Sequence, residues 1–137
     1  MKVILEPGAK IPTRSHNKDA GLDIYSRETM LVPAHGNAVF HTGVHIELPE
    51  DRVGMLKSKS GLMVVHNITG EGTIDEEYQG EILVKLFNHG NEDYMVEEGD
   101  RISQLVVIPC DYVSVEIVES FDSETARGNN GIGSTGK

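Results

Sequence analysis

Two segments in the first half of the chain carry charged and hydroxyl side chains that could take part in chemistry, although each is weak evidence alone. Residues 20–23 (AGLD) place the carboxylate of Asp23 shortly after a glycine, where an aspartate that caps a turn is the usual explanation. Residues 57–61 (KSKSG) combine two cations, two hydroxyl groups and a glycine. Such a set suits a small phosphate, although a solvated turn is the commoner structure.

Two later segments add a carboxylate, an aromatic ring and an amide. Residues 72–80 (GTIDEEYQG) predict a hairpin in which Ile74 and Asp75 point to opposite sides, with Tyr78 three residues further on. A charged loop at a hairpin tip is the simpler interpretation. Gln104 interrupts an otherwise apolar strand pattern. Because a buried amide needs hydrogen-bond partners, this glutamine is either a structural bridge or a site residue.

The C-terminal segment, residues 122–137, is rich in glycine and polar residues and contains a single large apolar side chain. This composition fits a frayed terminus. It also fits a flexible flap that binds an anion. In that case Arg127 supplies charge, Ser134 and Thr135 donate from their hydroxyl groups, and the glycines let backbone amides converge. Composition alone does not choose between the two.

The overall charge limits the partners of the protein. The 137 residues include 12 Lys and Arg against 22 Asp and Glu, which gives a net charge of −10. Because nucleic-acid backbones and anionic membranes are held mainly by clustered cations, we expect no nucleic-acid or membrane partner. A phosphate ligand must therefore be small and be met by local cations, a metal ion or backbone N–H groups.

The cysteine and histidine residues exclude several kinds of site. Cys110 is the single cysteine, so it forms no intrachain disulfide or multi-cysteine zinc site, and we expect a buried structural thiol. The absence of an apolar run of about 18 residues indicates a soluble protein of a reducing compartment, the cytoplasm. The six histidines do not cluster: His41 and His45 share the outer face of one predicted strand, and a metal site there would need a third ligand that is not evident.

The elements that must position these residues are predominantly strands. Val, Ile and Thr number 32 against 14 Ala and Leu, and β-branched side chains favour strands. We predict an all-β, antiparallel sandwich or jelly-roll-like barrel with at most one short helix, near residues 61–65. Alternation of apolar and polar residues predicts the strands at residues 2–5, 22–26, 29–32, 39–48, 52–57, 81–88, 101–109 and 112–119. In the last of these, Val113, Val115 and Ile117 would face inward.

Taken in order, five segments resemble the five motifs of the homotrimeric dUTP pyrophosphatases (dUTPases). One such motif would occur by chance, but five in the same order and with matching spacing are specific. The resemblance covers nearly the whole chain and predicts one β domain at 1–121 with a flexible arm at 122–137. The matching segments are 20–25 (AGLDIY), 59–62 (KSGL), 72–80 (GTIDEEYQG), 99–106 (GDRISQLV) and 127–136 (RGNNGIGSTG).

The resemblance implies a jelly-roll homotrimer that hydrolyses dUTP to dUMP and pyrophosphate, which keeps uracil out of DNA and supplies dUMP for dTMP synthesis. Its three active sites would be shared: motifs one, two and four, motif three, and the arm would come from different subunits. The arm would close over a neighbouring subunit's site. This sharing would explain why no catalytic cluster is visible within one chain.

The resemblance also implies roles for single residues. Asp75 would be the general base for a water that attacks the α-phosphorus, and Tyr78 would pack on the deoxyribose and exclude a 2′-hydroxyl group. The backbone around Gly72 and Ile74 would contact the uracil. Asp23 would join Gln104 in holding waters on a Mg²⁺ ion that the triphosphate chelates, with no direct protein ligand. The remaining substrate-binding residues would be Lys59, Ser60, Gly61 and Gln104 at the phosphates, and Arg127, Ile132, Gly133, Ser134 and Thr135 in the arm.

Three departures from the family pattern concern affinity more than chemistry. Lys59 stands where arginine is usual and loses the bidentate fork. Ile132 stands where an aromatic residue usually stacks on uracil, a contact worth about 1–3 kcal/mol. The segment 62–75 is short, which leaves Thr69 as the positional candidate for the usual uracil-contacting asparagine. This variation favours a phage or prophage branch.

Other functions fit the same pattern. A dCTP deaminase, or a bifunctional deaminase and dUTPase, would share the fold, although this chain is shorter than those usually are. A nucleotide-dependent regulator that binds a repressor protein would use the arm as a switch. A third alternative is a catalytically inactive trimeric β domain.

Overall fold

The computed structural model describes residues 1–126 and 128–129, and within them the regular structure is almost entirely β. Short strands follow one another with turns between them, and one helix interrupts the series. The elements are β1 (Lys2–Leu5), β2 (Gly21–Tyr25), β3 (Met30–Val32), β4 (Asn37–Glu47), β5 (Arg52–Lys57), α1 (Ser60–His66), β6 (Ile68–Thr69), β7 (Gly72–Ile74), β8 (Glu81–Asn88), β9 (Tyr94–Val96) and β10 (Arg101–Pro109).

The strands form two four-stranded sheets and a two-stranded ribbon. One sheet has the order β1-β4-β8-β6, the other β2-β10-β5-β7, and β3 pairs with β9. Every pairing is antiparallel. Because neighbours in each sheet are mostly distant in sequence, the chain crosses repeatedly between the sheets, as in a jelly roll. The prediction of an all-β antiparallel jelly roll with one short helix is confirmed.

The longest strand, β4, shows how alternation builds the core. Ala38, Phe40 and Thr42 are buried, while Val39 and His41 point outward. At Gly43 the backbone has a φ of +66°, which a side chain would strain, and the pairing with β8 shifts register there. Alternation resumes beyond this bulge, so His41 and His45 both lie on the outer face, as predicted.

The two sheets enclose one hydrophobic core. Its largest fully buried side chain is Phe40, which lies among branched aliphatic residues of both sheets. Stiff β-branched side chains fill this space at a low entropic cost. The other members are Ile24, Val32, Ala38, Val44, Ile46, Leu48, Leu56, Ile68, Ile74, Ile82, Val84, Leu86, Val96, Ile102 and Leu105.

The predicted strand at 112–119 is wrong. These residues follow β10 as irregular chain that pairs with no strand in the described part of the molecule. The side chains of Val113, Val115 and Ile117, which were expected to face inward, are 80%, 90% and 97% exposed. Alternation indicates that a segment has an apolar face, but it does not say whether that face is covered within the same chain. Cys110, expected to be buried, is only half-buried.

The predicted hairpin at 72–80 is also wrong. β7 pairs with β5, whereas β8 joins β4 and β6 in the other sheet, so the turn between β7 and β8 crosses from one sheet to the other. The turn is closed by the N–H of Tyr78, which donates to the carbonyl oxygen of Asp75 (3.1 Å). Two apolar segments around a turn signal predict a hairpin, but the partner strands are decided by the rest of the sheet.

The helix α1 lies close to its predicted position. It ends at His66, and Asn67 caps it with a left-handed φ of 55° and an N–H that donates to the carbonyl oxygen of Leu62. No helix of the described residues is long and apolar enough to cross a membrane.

The core position of Phe40 gives a test of the packing. We expect Phe40→Ala to lower the free energy of unfolding by about 3–5 kcal/mol, because it removes a fully buried ring and leaves a cavity. Val39→Ala, the neighbour on the outer face of β4, should cost under about 1 kcal/mol. Urea unfolding at one fixed protein concentration measures both. Equal losses would contradict the assigned faces of β4.

Candidate functional site

Strand β10 brings three of the predicted site segments side by side. It pairs with β2 on one edge and with β5 on the other, so Gln104 lies opposite Asp23 and opposite Lys57. Residues that lie directly opposite in antiparallel strands have Cβ atoms about 4.5–5.5 Å apart. The first, second and fourth segments therefore meet in one row across this sheet.

Asp23 is the buried charge of this row. Its side chain is buried within β2 rather than capping a turn, with the residue only 5% exposed. One carboxylate oxygen pairs with the ammonium of Lys59, and the other lies 3.4 Å from the Arg101 guanidinium and accepts from the hydroxyl of Ser15 (3.3 Å). Two cations thus compensate one carboxylate that has been taken out of water.

The pairing keeps this carboxylate ionised. Burial by itself would raise the pKa of Asp23, but the hydrogen bond and charge of Lys59, followed by those of Arg101, outweigh it and lower the pKa below its ordinary value. Asp23 is therefore an anion at neutral pH, with two cations directly beside it. One of these cations, Lys59, is a residue that the sequence assigns to phosphate binding.

Gln104 is half-buried and held across the strands. Its amide nitrogen donates to the carbonyl oxygen of Ser58 (3.3 Å). A Cβ atom at Gly21 would lie 2.7 Å from the Gln104 side-chain oxygen and 3.0 Å from its Cβ, so glycine leaves room for this amide. Gln104 is thus a bridge within the sheet and, at the same time, the cross-strand neighbour of Asp23.

The start of α1 opens onto a cleft. Lys59 is the residue before the helix, and Ser60 and Gly61 are its first two residues, both exposed. A cleft of about 460 Å³ is lined by Lys59, Gly61 and Arg101 among others. Two cations and an open glycine therefore face one space. The hydroxyl group of Ser58 donates to the carbonyl oxygen of Gly70 and accepts from its N–H. These bonds link this segment to the chain between β6 and β7.

Asp75 lies elsewhere, on the turn after β7. It is exposed and lines a cleft of about 420 Å³ together with Glu76, Glu77 and Tyr112. Glu76 anchors the turn, since its carboxylate accepts from the N–H of Asp51 (3.0 Å) and from the hydroxyl of Tyr112. The hydrogen bond to Glu76 is the main reason that the pKa of Tyr112 is raised to about 12.

Tyr78 stands on the same turn, and the residue is 44% exposed. Its hydroxyl group donates to the carbonyl oxygen of Glu81 (2.9 Å), which folds the ring back over Gly80. A Cβ atom at Gly80 would clash with this hydroxyl group, so the glycine leaves room for the ring in this orientation. The ring is thereby fixed in orientation while one part of it remains accessible.

The residues expected to contact a base occupy neighbouring strands. Gly72 lies opposite Leu56 in the sheet, and the side chain of Ile74 is buried in the core, so Ile74 could offer only its backbone to a ligand. Thr69, in β6, is half-buried, and its hydroxyl oxygen lies 2.8 Å from Nε2 of His89. A ligand would have to compete with His89 for this hydroxyl group.

One chain does not bring Asp75 to the row of Asp23 and Gln104. The strand position opposite Ile74 is Gly54, which in turn lies opposite Val107. Asp75 therefore stands level with the end of β10, four residues beyond Gln104, a separation of about 13 Å at 3.3 Å per residue. Asp75 and Lys59 accordingly line separate clefts.

The arm residues Arg127, Ile132, Gly133, Ser134 and Thr135 lie outside the described residues, and their roles stay predictions. Within residues 1–126 and 128–129, no group of three His, Cys, Asp or Glu side chains is arranged to hold a metal ion.

Sequence reasoning missed several residues of these two sites. Arg101 and Ser15 hold the carboxylate of Asp23, and Tyr112 lies beside Asp75. Arg101 was detectable, because it stands three residues before Gln104 in the fourth motif-like segment. Ser15 and Tyr112 carry no signal in the sequence, because they reach the sites through loops whose paths depend on the fold.

Comparison with known proteins identifies the family of this chain. The family model described as dUTPase matches residues 8–136. The chain is 44% identical to the deoxyuridine 5'-triphosphate nucleotidohydrolase of Crocosphaera subtropica, covering 99% of this chain and 98% of that protein. It is 42% identical to the protein of the same name from Candida albicans, covering 100% of this chain and 88% of that protein.

Solved structures give the same result. The dUTPase of Staphylococcus bacteriophage 80alpha with dUPNHPP superimposes with a TM-score of 0.93 at 31% identity, over 99% of this chain and 98% of that chain. The dUTPase of phage phi11 of S. aureus superimposes with a TM-score of 0.84 at 29% identity, over 90% and 98%. The chain belongs to the dUTPase family, as its five motif-like segments predicted.

The ion pair of Asp23 gives a test of the site electrostatics. We expect Lys59→Met to raise the pKa of Asp23, because the first of its two compensating cations is removed. A carboxyl-carbon NMR titration measures the shift. Lys57→Met is the matched control, since that ammonium pairs with Glu71 on the surface. An unchanged midpoint in Lys59→Met would mean that Arg101 alone sets the charge of Asp23.

Proposed function

We propose that the protein hydrolyses dUTP to dUMP and pyrophosphate, with Asp75 as the base. The observation that carries this proposal is the turn after β7. It holds an exposed carboxylate and a fixed, half-exposed tyrosine ring three residues apart, in a chain that aligns over 99% of its length with a named deoxyuridine 5'-triphosphate nucleotidohydrolase.

Asp75 is suited to activate a water. It is exposed on a turn that Glu76 and the Tyr78 N–H hold in place, so it can approach a bound phosphate without a change in the fold. The water oxygen bonds to the α-phosphorus as its proton passes to Asp75. The bond from the α-phosphorus to the bridging oxygen breaks, and pyrophosphate leaves with that oxygen.

Lys59, Ser60 and Gly61 receive the phosphates at the start of α1. The ammonium of Lys59 rests against Asp23, so a triphosphate that enters the cleft meets a cation already positioned by a buried anion. Arg101 lines the same cleft and adds a second positive charge. These local cations let a chain with a net charge of −10 bind a polyanion.

The oxygen atoms of Asp23 and Gln104 fit a Mg²⁺ ion that is held through waters. They are neighbours across β2 and β10, both are hard oxygen donors, and the lowered pKa of Asp23 keeps its carboxylate ionised. A Mg²⁺ ion bound to the triphosphate supplies charge neutralisation at the phosphate oxygens. The relative from phage phi11 has been described with a structural Mg(II) ion.

Tyr78 selects the sugar. Its ring is held by the hydroxyl bond to Glu81 and cannot turn away without losing that bond, so a ribose 2′-hydroxyl group meets a fixed surface. The backbone of Gly72 and Ile74 in β7 contacts the base, and the side chain of Ile74 is buried in the core.

The active unit is a homotrimer. Two features support this. Asp75 stands about 13 Å along the sheet from the row of Gln104 at 3.3 Å per residue, which fits a site whose two halves come from different chains. In addition, the apolar side chains of Val113, Val115 and Ile117 are exposed, and a neighbouring subunit can cover them.

The role of Asp75 is tested by substitution. We expect Asp75→Asn to lower kcat by about 10²–10⁴-fold with little change in dUTP affinity, because the amide keeps the shape but cannot accept the proton. Pyrophosphate release measures kcat, and calorimetry with a non-hydrolysable dUTP analogue measures affinity. Glu77→Gln, on the same turn and lining the same cleft, is the control. A mutant within tenfold of the wild type would remove Asp75 from this role.

The substrate is tested by pyrophosphate release from dUTP, UTP, dTTP and dCTP, with and without Mg²⁺. We expect turnover of dUTP alone, and faster with Mg²⁺. Ammonia released from dCTP would indicate a deaminase instead, and no turnover of any nucleotide would indicate an inactive β domain.

The trimer is tested by sedimentation. We expect the wild type to have about three times the mass of one chain, and the triple variant Val113→Asp, Val115→Asp, Ile117→Asp to dissociate, because charges cannot be buried in the interface. Ser114→Asp, which adds a charge to the same segment without removing an apolar side chain, should remain a trimer. A monomeric wild type that still hydrolyses dUTP would refute the shared site.

A regulatory role is a second candidate, favoured by the close superposition on the phage 80alpha dUTPase. That protein has been described as controlling transfer of virulence genes. In a regulator of this kind, a repressor protein would be the partner, and nucleotide binding without hydrolysis would suffice. Retention of the biological effect by Asp75→Asn would separate this role from catalysis.

A further inference from the structure

A network of charged side chains surrounds the bulge of β4, outside both parts of the site described above. Glu6, from the segment after β1, pairs with Arg27, which follows β2. Glu81, the first residue of β8, accepts from the N–H of Gly43 (2.8 Å) and pairs with His41 (2.8 Å). His45 lies at the edge of this network, with its side chain 25% exposed.

His45 touches two groups that can only accept hydrogen bonds. Its Nδ1 lies 3.0 Å from the carbonyl oxygen of Gln79, and its Nε2 lies 3.2 Å from a carboxylate oxygen of Glu6. A neutral imidazole carries one N–H and can satisfy one of them. Both bonds therefore require the imidazolium form. Consistently, the pKa of His45 is raised, first by the Gln79 carbonyl and then by the bond to Glu6.

Gln79 follows Tyr78 directly in the turn that also carries Asp75. The first part of that turn is anchored through Glu76, and the tyrosine ring is anchored through the carbonyl of Glu81. The hydrogen bond from His45 holds the Gln79 carbonyl, which lies between these two anchors. Loss of that bond would free the backbone next to the tyrosine ring.

We propose that His45, as an imidazolium, is a positioning residue that holds the Gln79 peptide and thereby fixes the Tyr78 ring against the sugar of the substrate. This proposal rests on the proposed function, because it gives Tyr78 the task of excluding a 2′-hydroxyl group. Discrimination between dUTP and UTP then depends on pH, because deprotonation leaves His45 with one N–H for two acceptors.

Other charges near His45 set the direction of the effect. Glu6 and Glu81 favour the imidazolium, whereas partial burial of the ring opposes it, and Arg27 pairs with both carboxylates. His41 pairs with Glu81 on the same strand face, and Lys2 pairs with Glu47 on the adjoining edge of β1 and β4. Together with the hydrogen bond to the Gln79 carbonyl, the two carboxylates outweigh this burial, so the pKa of His45 is raised above its ordinary value of 6.5.

The sign of the pH dependence follows from this. The folded pKa of His45 is above the ordinary 6.5, so the two-bond form is complete below pH 6.5 and is lost as pH rises through the folded pKa. Tightness of the turn, and discrimination against UTP, should therefore fall with rising pH.

The experiment measures kcat and KM for dUTP and UTP from pH 6 to pH 9. We expect the ratio of kcat/KM for dUTP to that for UTP to fall about threefold to tenfold in the wild type, the effect of one hydrogen bond. In His45→Gln, whose side chain does not titrate, the ratio should be independent of pH and equal to the alkaline wild-type value. The change should lie mainly in KM.

His41→Gln is the matched control. It removes a histidine from the same strand face and the same network but no bond to the backbone of residues 75–80. It should keep the wild-type fall in the ratio. If His41→Gln abolishes the fall in the ratio as His45→Gln does, the effect is general electrostatics and the proposal is overturned. The proposal is also overturned if His45→Gln retains the fall.

NMR gives a second measurement that does not need activity. We expect both ring nitrogens of His45 to be protonated at pH 6.5, and the carbonyl carbon of Gln79 to shift with the same midpoint as the imidazole. A neutral His45 ring at pH 6.5 would overturn the proposal. So would a Gln79 carbonyl signal that does not shift with the titration of the imidazole. Absence of dUTP turnover with an intact titration would instead refute the proposed function alone.

Discussion

The register of β10 between β2 and β5 is the constraint on which the site depends. Because side chains alternate along a strand, a slip of one residue would turn Gln104 to the opposite face of the sheet and separate it from Asp23. The buried side chains of β10, which include Ile102 and Leu105, would leave the core if the strand slipped. Packing of the core therefore also sets the geometry of the polar row.

The buried carboxylate of Asp23 positions two cations in a protein whose net charge is negative. Asp23 lies under Lys59 and Arg101, and their attraction offsets the cost of burying its charge. The same two cations are then turned toward the cleft at the start of α1. A negatively charged chain thus presents a local positive surface, and its net charge says little about the ligand it can hold.

The turn after β7 is built on a different principle. Asp75 and Tyr78 are exposed, so the turn has no core to hold it and depends on hydrogen bonds from neighbouring elements. Glu76 receives them from Asp51 and Tyr112, and the Gln79 carbonyl contacts His45. The bond to His45 is complete only in its imidazolium form, which makes the position of the turn sensitive to pH.

The sequence by itself determined the fold class, most strand positions and the family, because the period-2 alternation and the five ordered segments are local properties of the chain. Only the tertiary structure decided which strands pair. In it, β7 and β8 belong to different sheets, Val113 and Ile117 are exposed, and Arg101 and Ser15 lie beside Asp23. Pairing depends on contacts between residues far apart in sequence, and no local pattern records them.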